Sequence, residues 1–259
     1  MGEERGGQSW DALRTEAVAL AEAAAARKLV LKLAGSAGVR LSSPEAERLV
    51  GLLRPPPKDL DYLCRARDRN GLQALFVERG YAVDRDMLVA MEGQRYAFRH
   101  GGTGLKIDLF VDRLEFCHTV EPGRRLEAPG IALGGEDLLL HKLQIQKPTR
   151  GDLADLGVML SLQDVGPGGF DRTLLLEPLQ ADWGFCHTVE RNLAAVAAHA
   201  EAGGYAPLGV DAGPRIAASA RAFLGLIEAA PKSMRWKLRA RIGERMQWWQ
   251  DVDDREGTY

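Results

Sequence analysis

The chain has 259 residues, of which 46% are hydrophobic and 27% charged, and a formal net charge of -2. That length and apolar content suffice for one large domain or two smaller ones with real cores, and they argue against general disorder. The near-balanced charge excludes the strongly basic make-up of a dedicated nucleic-acid binder, while leaving room for a local basic patch.

Met1 to Gln8 is charged and Gly-rich, without the apolar stretch of a secretory signal. The apolar run Ala17 to Ala26 is broken by Glu22 and followed by Arg27 and Lys28, so it is too short and too charged to span a bilayer. A cytoplasmic protein without a membrane partner is expected. Cys64, Cys117 and Cys186 lack CxxC spacing, which fits reduced thiols rather than a disulfide framework or a thiolate zinc site.

In chain order, Asp11 to Arg27 has helical composition, and Leu29 to Leu33 reads as a short buried strand running into Gly35-Ser36. Ser42-Ser43-Pro44-Glu45 signals a helix start, with the helix reaching about Leu53. Pro55-Pro56-Pro57 stops it and forces extended backbone before Lys58 to Leu63, which alternates polar and apolar at strand period. A helix over Arg69 to Arg79 follows, then strands at Tyr81 to Ala90, Gln94 to Arg99 and Leu105 to Val111.

From Gly134 onward, apolar residues recur at three- and four-residue spacing. Helices are predicted at Gly135 to Gln146, Gly151 to Leu162, Phe170 to Pro178, Ala181 to Ala200, Pro214 to Ala229 and Pro231 to Val252. The fold class is therefore α+β: a small mixed sheet flanked by helices, followed by an all-helical C-terminal region. The expected division is an α/β core over residues 1–130 and a helical domain over 131–259 that completes the cleft. One echo interrupts this pattern, since Phe116 to Glu121 and Phe185 to Glu190 are the same six residues. Their surroundings do not match, so no repeat architecture is implied.

Three acidic positions carry the chemistry. Asp59 and Asp61 sit two apart on one strand and so share a face, and Asp108 lies in a second apolar strand, Lys106 to Phe110. Pairing of the two strands would gather all three carboxylates, hard oxygen donors of the kind that magnesium takes. Gly35 allows close backbone approach to a phosphate, and the Ser36 hydroxyl can donate to one.

An apolar strand into Gly-Ser, an Asp-x-Asp between apolar residues and a third Asp in a later strand resemble the DNA polymerase beta-like nucleotidyltransferase superfamily, over about residues 29 to 112. The resemblance implies two-metal, magnesium-dependent transfer of a nucleoside monophosphate from a nucleoside triphosphate. Asp59, Asp61 and Asp108 would be catalytic and metal-binding, and Gly35 and Ser36 nucleotide-binding. The 23 positions from Ser36 to Asp59 exceed the usual spacing and require the Ser42 to Leu53 helix as an insertion.

Asp137 to Lys142 followed by Asp152 and Asp155 is similar to the helical motif of AbiEii-type nucleotidyltransferases, toxins of toxin–antitoxin systems. That implies nucleotide-binding roles for Lys142 and Asp152, with Asp155 beside them, and a toxin–antitoxin partner. Where the family has Arg-Asp this chain has Gly151-Asp152, with Arg150 one place earlier. RNA, a protein or a small molecule could supply the acceptor hydroxyl. A catalytically silent nucleotide-binding partner is the alternative, and an RNA-binding module on the basic segment Lys232 to Arg245 is a further one. Asp59 and Asp61 also have a plain reading as solvated strand-end carboxylates, and Asp112, at the end of its strand, could be the residue that matters in place of Asp108.

Overall fold

In the computed structural model, which describes residues 9–84 and 94–251, the first helix starts where its chemistry puts it. The Ser9 side chain accepts from the Ala12 N–H at 3.3 Å and caps α1 (Trp10–Ala26), which buries Leu13, Ala17 and Leu20. Lys28, at φ 59°, turns the chain into β1 (Leu31–Leu33). Ser43 then caps α3 (Pro44–Leu53), with Pro44 in its first turn, after a short helix α2 (Gly35–Arg40) that begins at the Gly-Ser turn itself. The sequence pattern marks the turn but not that helix, whose six residues are too few to show a period.

β2 (Asp59–Cys64), α4 (Arg69–Glu78), β3 (Tyr81–Val83), β4 (Arg95–His100) and β5 (Lys106–Val111) complete a five-stranded sheet in the order β1-β2-β5-β4-β3. β2 and β5 are parallel, and every other neighbouring pair is antiparallel. The third expected strand ends at Val83; its remainder, residues 85–90, lies outside the described residues. Leu60, Tyr62, Ile107, Leu109, Tyr96 and Phe98 face α1 and α4 in one core. Phe76 of α4 is its hub, 5.0 Å from the Phe98 ring in an edge contact and 6.3 Å from Tyr62.

The chain divides into two compact units, one from Met1–Leu114 with Glu121–Gly134, the other from Glu115–Val120 with Gly135–Tyr259. In the first, residues 128–132 return to β1: Lys32 Nζ donates to the carbonyls of Ala128 and Gly130, and Leu33 bridges Ala132. Burial without a carboxylate partner lowers the Lys32 pKa, which these carbonyls do not reverse.

The second unit is helical but for a hairpin arm. β6 (Leu114–Glu115) pairs β7 (Thr119–Val120), and α5 (Gly135–Leu143), α6 (Arg150–Leu162), α7 (Arg172–Ala181), α8 (Trp183–Glu201) and α9 (Ala212–Ala229) follow. A mixed α+β architecture with a small mixed sheet and a helical second half is thus what the sequence pattern predicts. The Gly157 position in α6 admits the Tyr205 ring, which would lie 2.1 Å from a Cβ there, and the Tyr205 hydroxyl donates to Leu153 O at 2.7 Å.

The repeated hexapeptide adopts two conformations in this unit, a hairpin at residues 116–121 and helix α8 at 185–190. The copies touch. His118 stacks on Phe185 at 5.2 Å, and its Nε2 lies 2.8 Å from Thr188 Oγ1. The last helix, α10 (Met234–Ile242), is shorter than expected because Gly243 takes φ 60° and Arg239 donates to the carbonyls of Gly243 and Met246, closing the end. Leu238 and Ile242 are exposed. Among the described residues no helix is long and apolar enough to cross a membrane.

Candidate functional site

The β2–β5 ladder decides where the carboxylates go. In the parallel register Asp61 stands opposite Asp108 and Asp59 opposite Lys106, so all four side chains leave the same face of the sheet. Leu60, Tyr62, Ile107 and Leu109 alternate with them into the core on the other face. Asp59, Asp61 and Asp108 are only half-buried. The sequence-predicted triad therefore shares one sheet face, at adjacent positions of two paired strands.

The Gly35 turn closes on this face. The Ala34 N–H donates to Asp61 O at 2.8 Å, which pins the end of β1 to the middle of β2. Gly35 then turns at φ 58°, and a Cβ built on it would lie 1.9 Å from Asp61 Oδ2. Glycine is demanded twice, by the left-handed backbone and by the carboxylate that occupies the side-chain space. Gly35, Ser36 and Asp61 are one construction.

Two arginines that the sequence pattern does not single out complete it. Arg54, at the end of α3, donates from Nη1 to Ser36 Oγ at 2.7 Å, so the inserted helix delivers a cation to the Gly-Ser turn. Arg95 on β4 meets Asp108 side-on, Nε to Oδ1 at 3.3 Å and Nη2 to Oδ2 at 2.9 Å. Both partners of that pair are largely withdrawn from water, with side chains 19% and 16% exposed. The β4–β5 register places Ala97 beside Asp108 and Arg95 beside Phe110, whose ring lies 5.0 Å from the guanidinium carbon. Neither arginine has a local sequence signal, because each reaches its partner through a long-range pairing.

The face can therefore present two or three carboxylate oxygens to a divalent cation, with Arg54 and the Ser36 hydroxyl for a neighbouring anion. Asp59 and Asp61 are of the donor type that magnesium prefers, whereas Asp108 is turned to Arg95. Among the described residues no three His, Cys, Asp or Glu side chains stand together as a ready-made cation site. The donor set fits such an ion in kind, and Asp108 is engaged by Arg95.

Lys142 and Asp152 belong to the helical unit. Lys142 Nζ is held by Asp152 Oδ1 at 3.0 Å and Asp155 Oδ2 at 2.9 Å, and the three side chains are almost wholly buried. Asp152 also forms a capping box with Thr149 at the start of α6. Burial disfavours the ammonium, but Asp155 and Asp152 outweigh it and raise the Lys142 pKa above its ordinary value. Burial likewise pushes the Asp152 carboxyl up, and Lys142 with Thr149 reverses this and holds it below the usual range. In this arrangement the lysine lies between both aspartates.

Among solved structures, the chain is similar to an antigenic nucleotidyltransferase-like protein from Paracoccidioides brasiliensis, with a TM-score of 0.43 and 14% identity over 89% of this chain and 98% of that one. It is also similar to the antibiotic-resistance factor ANT(2'')-Ia, with a TM-score of 0.35 and 14% identity over 84% of this chain and 96% of that one. No protein-family model matches the chain, and no curated protein matches it in sequence.

Proposed function

We propose that the β2–β5 face is the site of a magnesium-dependent nucleotidyl transfer, in which an acceptor hydroxyl takes a nucleoside monophosphate from a nucleoside triphosphate. The observation that carries this reading is the joint construction of the Gly35 turn and Asp61, opposite Asp108 in register. A glycine turn packed against one carboxylate, with two more carboxylates on the same sheet face, suits triphosphate chemistry better than a solvated strand end.

Asp59, Asp61 and Asp108 would hold divalent cations, which when bound neutralise charge on the triphosphate oxygens. Ser36 accepts from Arg54 and would donate to a phosphate oxygen, with Arg54 adding a fixed positive charge beside it. The acceptor oxygen forms a bond to the α-phosphorus, the bond to the leaving pyrophosphate breaks, and Asp108 accepts the hydroxyl proton. RNA, a protein or a small molecule could supply that hydroxyl. The AbiEii-type reading, with its toxin–antitoxin partner, rests on the residue types of Lys142, Asp152 and Asp155, which meet in one buried cluster.

A second reading is favoured by the Arg95–Asp108 pair: a nucleotide-binding protein without turnover, whose third carboxylate is permanently neutralised. Incubation with magnesium, each labelled triphosphate, total RNA and lysate separates the two. Label transfer that disappears in Asp61→Ala supports the transferase. Triphosphate binding that weakens in the variant, with no acceptor ever labelled, removes catalysis in favour of the second reading.

A further inference from the structure

We infer that the outer face of α10 is a docking ridge for an anionic phospholipid surface, with an apolar crest that enters the headgroup layer and cations on both flanks that meet lipid phosphates. The inference stands apart from the nucleotidyl-transfer reading, because α10 and the contacts that orient it lie within the helical unit. The expectation of no membrane partner rests on the lack of a spanning segment, which docking on a leaflet does not require.

The crest follows from helical spacing. Met234, Leu238 and Ile242 are four residues apart and form one line along α10, exposed by 71%, 56% and 40%. The opposite side is committed: Trp236, Arg239 and Ala240 are partly buried, the Arg239 guanidinium lies 4.7 Å over the Trp183 ring of α8, and the Ser233 N–H donates to Gln180 O at 3.1 Å. With that side held against α7 and α8, the apolar line stays outward.

The charge around the crest has one sign. At about 100° per residue, Arg235 falls along one edge of the crest and Lys237 and Arg241 along the other, all three exposed. Arg245, just past the helix end, is exposed as well. Among the described residues none of these four meets a carboxylate. The only acid from Lys232 to Arg245 is Glu244, and it is held by His187 Nε2 at 2.7 Å.

An occupant must therefore take three apolar side chains and several cations at once. A nucleic-acid backbone would take the cations and leave the crest wet, and Trp236, the ring in α10 that could stack on a base, sits on the inward side. A second copy of the ridge would set cations against cations. A protein would need a groove already shaped to the ridge and rimmed with acid on both sides. An anionic bilayer yields around a convex ridge, with acyl carbon beneath the crest and phosphates along each flank.

Flotation of the full chain with phosphatidylcholine vesicles, with and without phosphatidylglycerol, tests this without any turnover. Wild type should float only with the phosphatidylglycerol vesicles, and added salt should release it. Leu238→Ser should weaken binding by about tenfold, the loss of one large apolar side chain, and Leu238→Phe should keep it. Arg241→Gln should weaken it by about fivefold, the share of one cation near an anionic surface. Circular dichroism checks that these exposed substitutions leave the fold intact, and Leu238→Phe with Arg241→Gln decides should Leu238→Ser fail to fold. Wild type that stays in solution with both vesicles overturns the ridge as a lipid site, gives its crest to a protein partner and leaves the transferase reading standing. Flotation that is unaltered in Leu238→Ser overturns it too. Polyuridine that binds wild type and Leu238→Ser alike and strips both from vesicles assigns the cations to nucleic acid, and a dimer in sedimentation that Leu238→Ser dissolves assigns the crest to a second copy; either result also overturns the inference.

Discussion

Asp61 occupies the space that a side chain on Gly35 would need, its Oδ2 lying 1.9 Å from where that Cβ would stand. Gly35→Ala must both pay the left-handed backbone, about 1–2 kcal/mol, and push the carboxylate off its place. Thermal denaturation should show the backbone cost, and calorimetry with Mn2+ and a triphosphate should show both ligands weakened together. Gly104→Ala is the comparison, because Gly104 shares the positive φ at 71° but has nothing within 4 Å of its Cβ direction. It should lose stability by a similar backbone amount and keep full ligand binding; equal binding in the two variants would separate Gly35 from Asp61.

Arg54→Ala removes the guanidinium that donates to Ser36 and so should weaken triphosphate binding by about tenfold, the loss of one charge-assisted contact. Melting should scarcely move, since the side chain is half-buried at a helix end. Ser36→Ala should produce a similar loss, and the double variant should lose less than the sum if the two act as a pair. Isothermal titration with a non-hydrolysable triphosphate measures all three.

Lys142→Met leaves Asp152 and Asp155 buried with no cation between them, and should destabilise the helical unit by about 3–5 kcal/mol. Adding Asp152→Asn and Asp155→Leu to it should recover much of that. The pH dependence follows from the directions of the shifts. The Asp152 carboxyl is held below its unfolded value, so its contribution is present above about pH 4 and is lost as the pH falls through the folded pKa. Lys142 is raised, so its contribution is intact below its unfolded value and is lost only at strongly alkaline pH.

Two buried histidines set a different acid limit. Burial lowers His118 to about 4, against a smaller opposing pull from Asp182, and lowers His141 to about 3, helped by Lys142. Both are therefore neutral in the folded chain where the unfolded chain already takes up protons. Stability should be full above about pH 6.5 and should decline as the pH falls toward 4, the sign opposite to that of a histidine gaining an acidic partner. Urea denaturation at stepped pH checks this, and His118→Asn should flatten part of the slope.

How far the sequence reveals these features depends on the range of the contact. Asp59 and Asp61 are legible because a strand alternates every second residue, and their aliphatic neighbours Leu60 and Tyr62 fix which face is core. Asp108 is legible for the same reason, though its register opposite Asp61 is not, since register depends on the pairing of two strands far apart in the chain. Arg95 and Arg54 are invisible to local pattern: one depends on the β4–β5 pairing, the other on α3 folding out and returning to Ser36. The plain role of Gly35 as a turn residue can be read directly, whereas its second role, making room for Asp61, exists only in three dimensions. Lys142 is legible in the sequence through its motif resemblance alone, and only packing turns it inward to two aspartates.

The discontinuity of the helical unit has a consequence for how the chain is made. Residues 115–120 emerge inside the stretch that builds the sheet, yet the Thr188 that meets His118 follows 70 residues later. By residue 134 the sheet unit has all of its own parts, including the segment that returns to β1. At that moment Gln144 and Thr188, which meet His118, are still to come. The hairpin first meets partners when α5 and the residues just after it are made, through His141 and Gln144, and gains Phe185 and Thr188 only with α8, so the nascent chain should be most open to proteolysis between Leu114 and Glu121 before α5 has been synthesised.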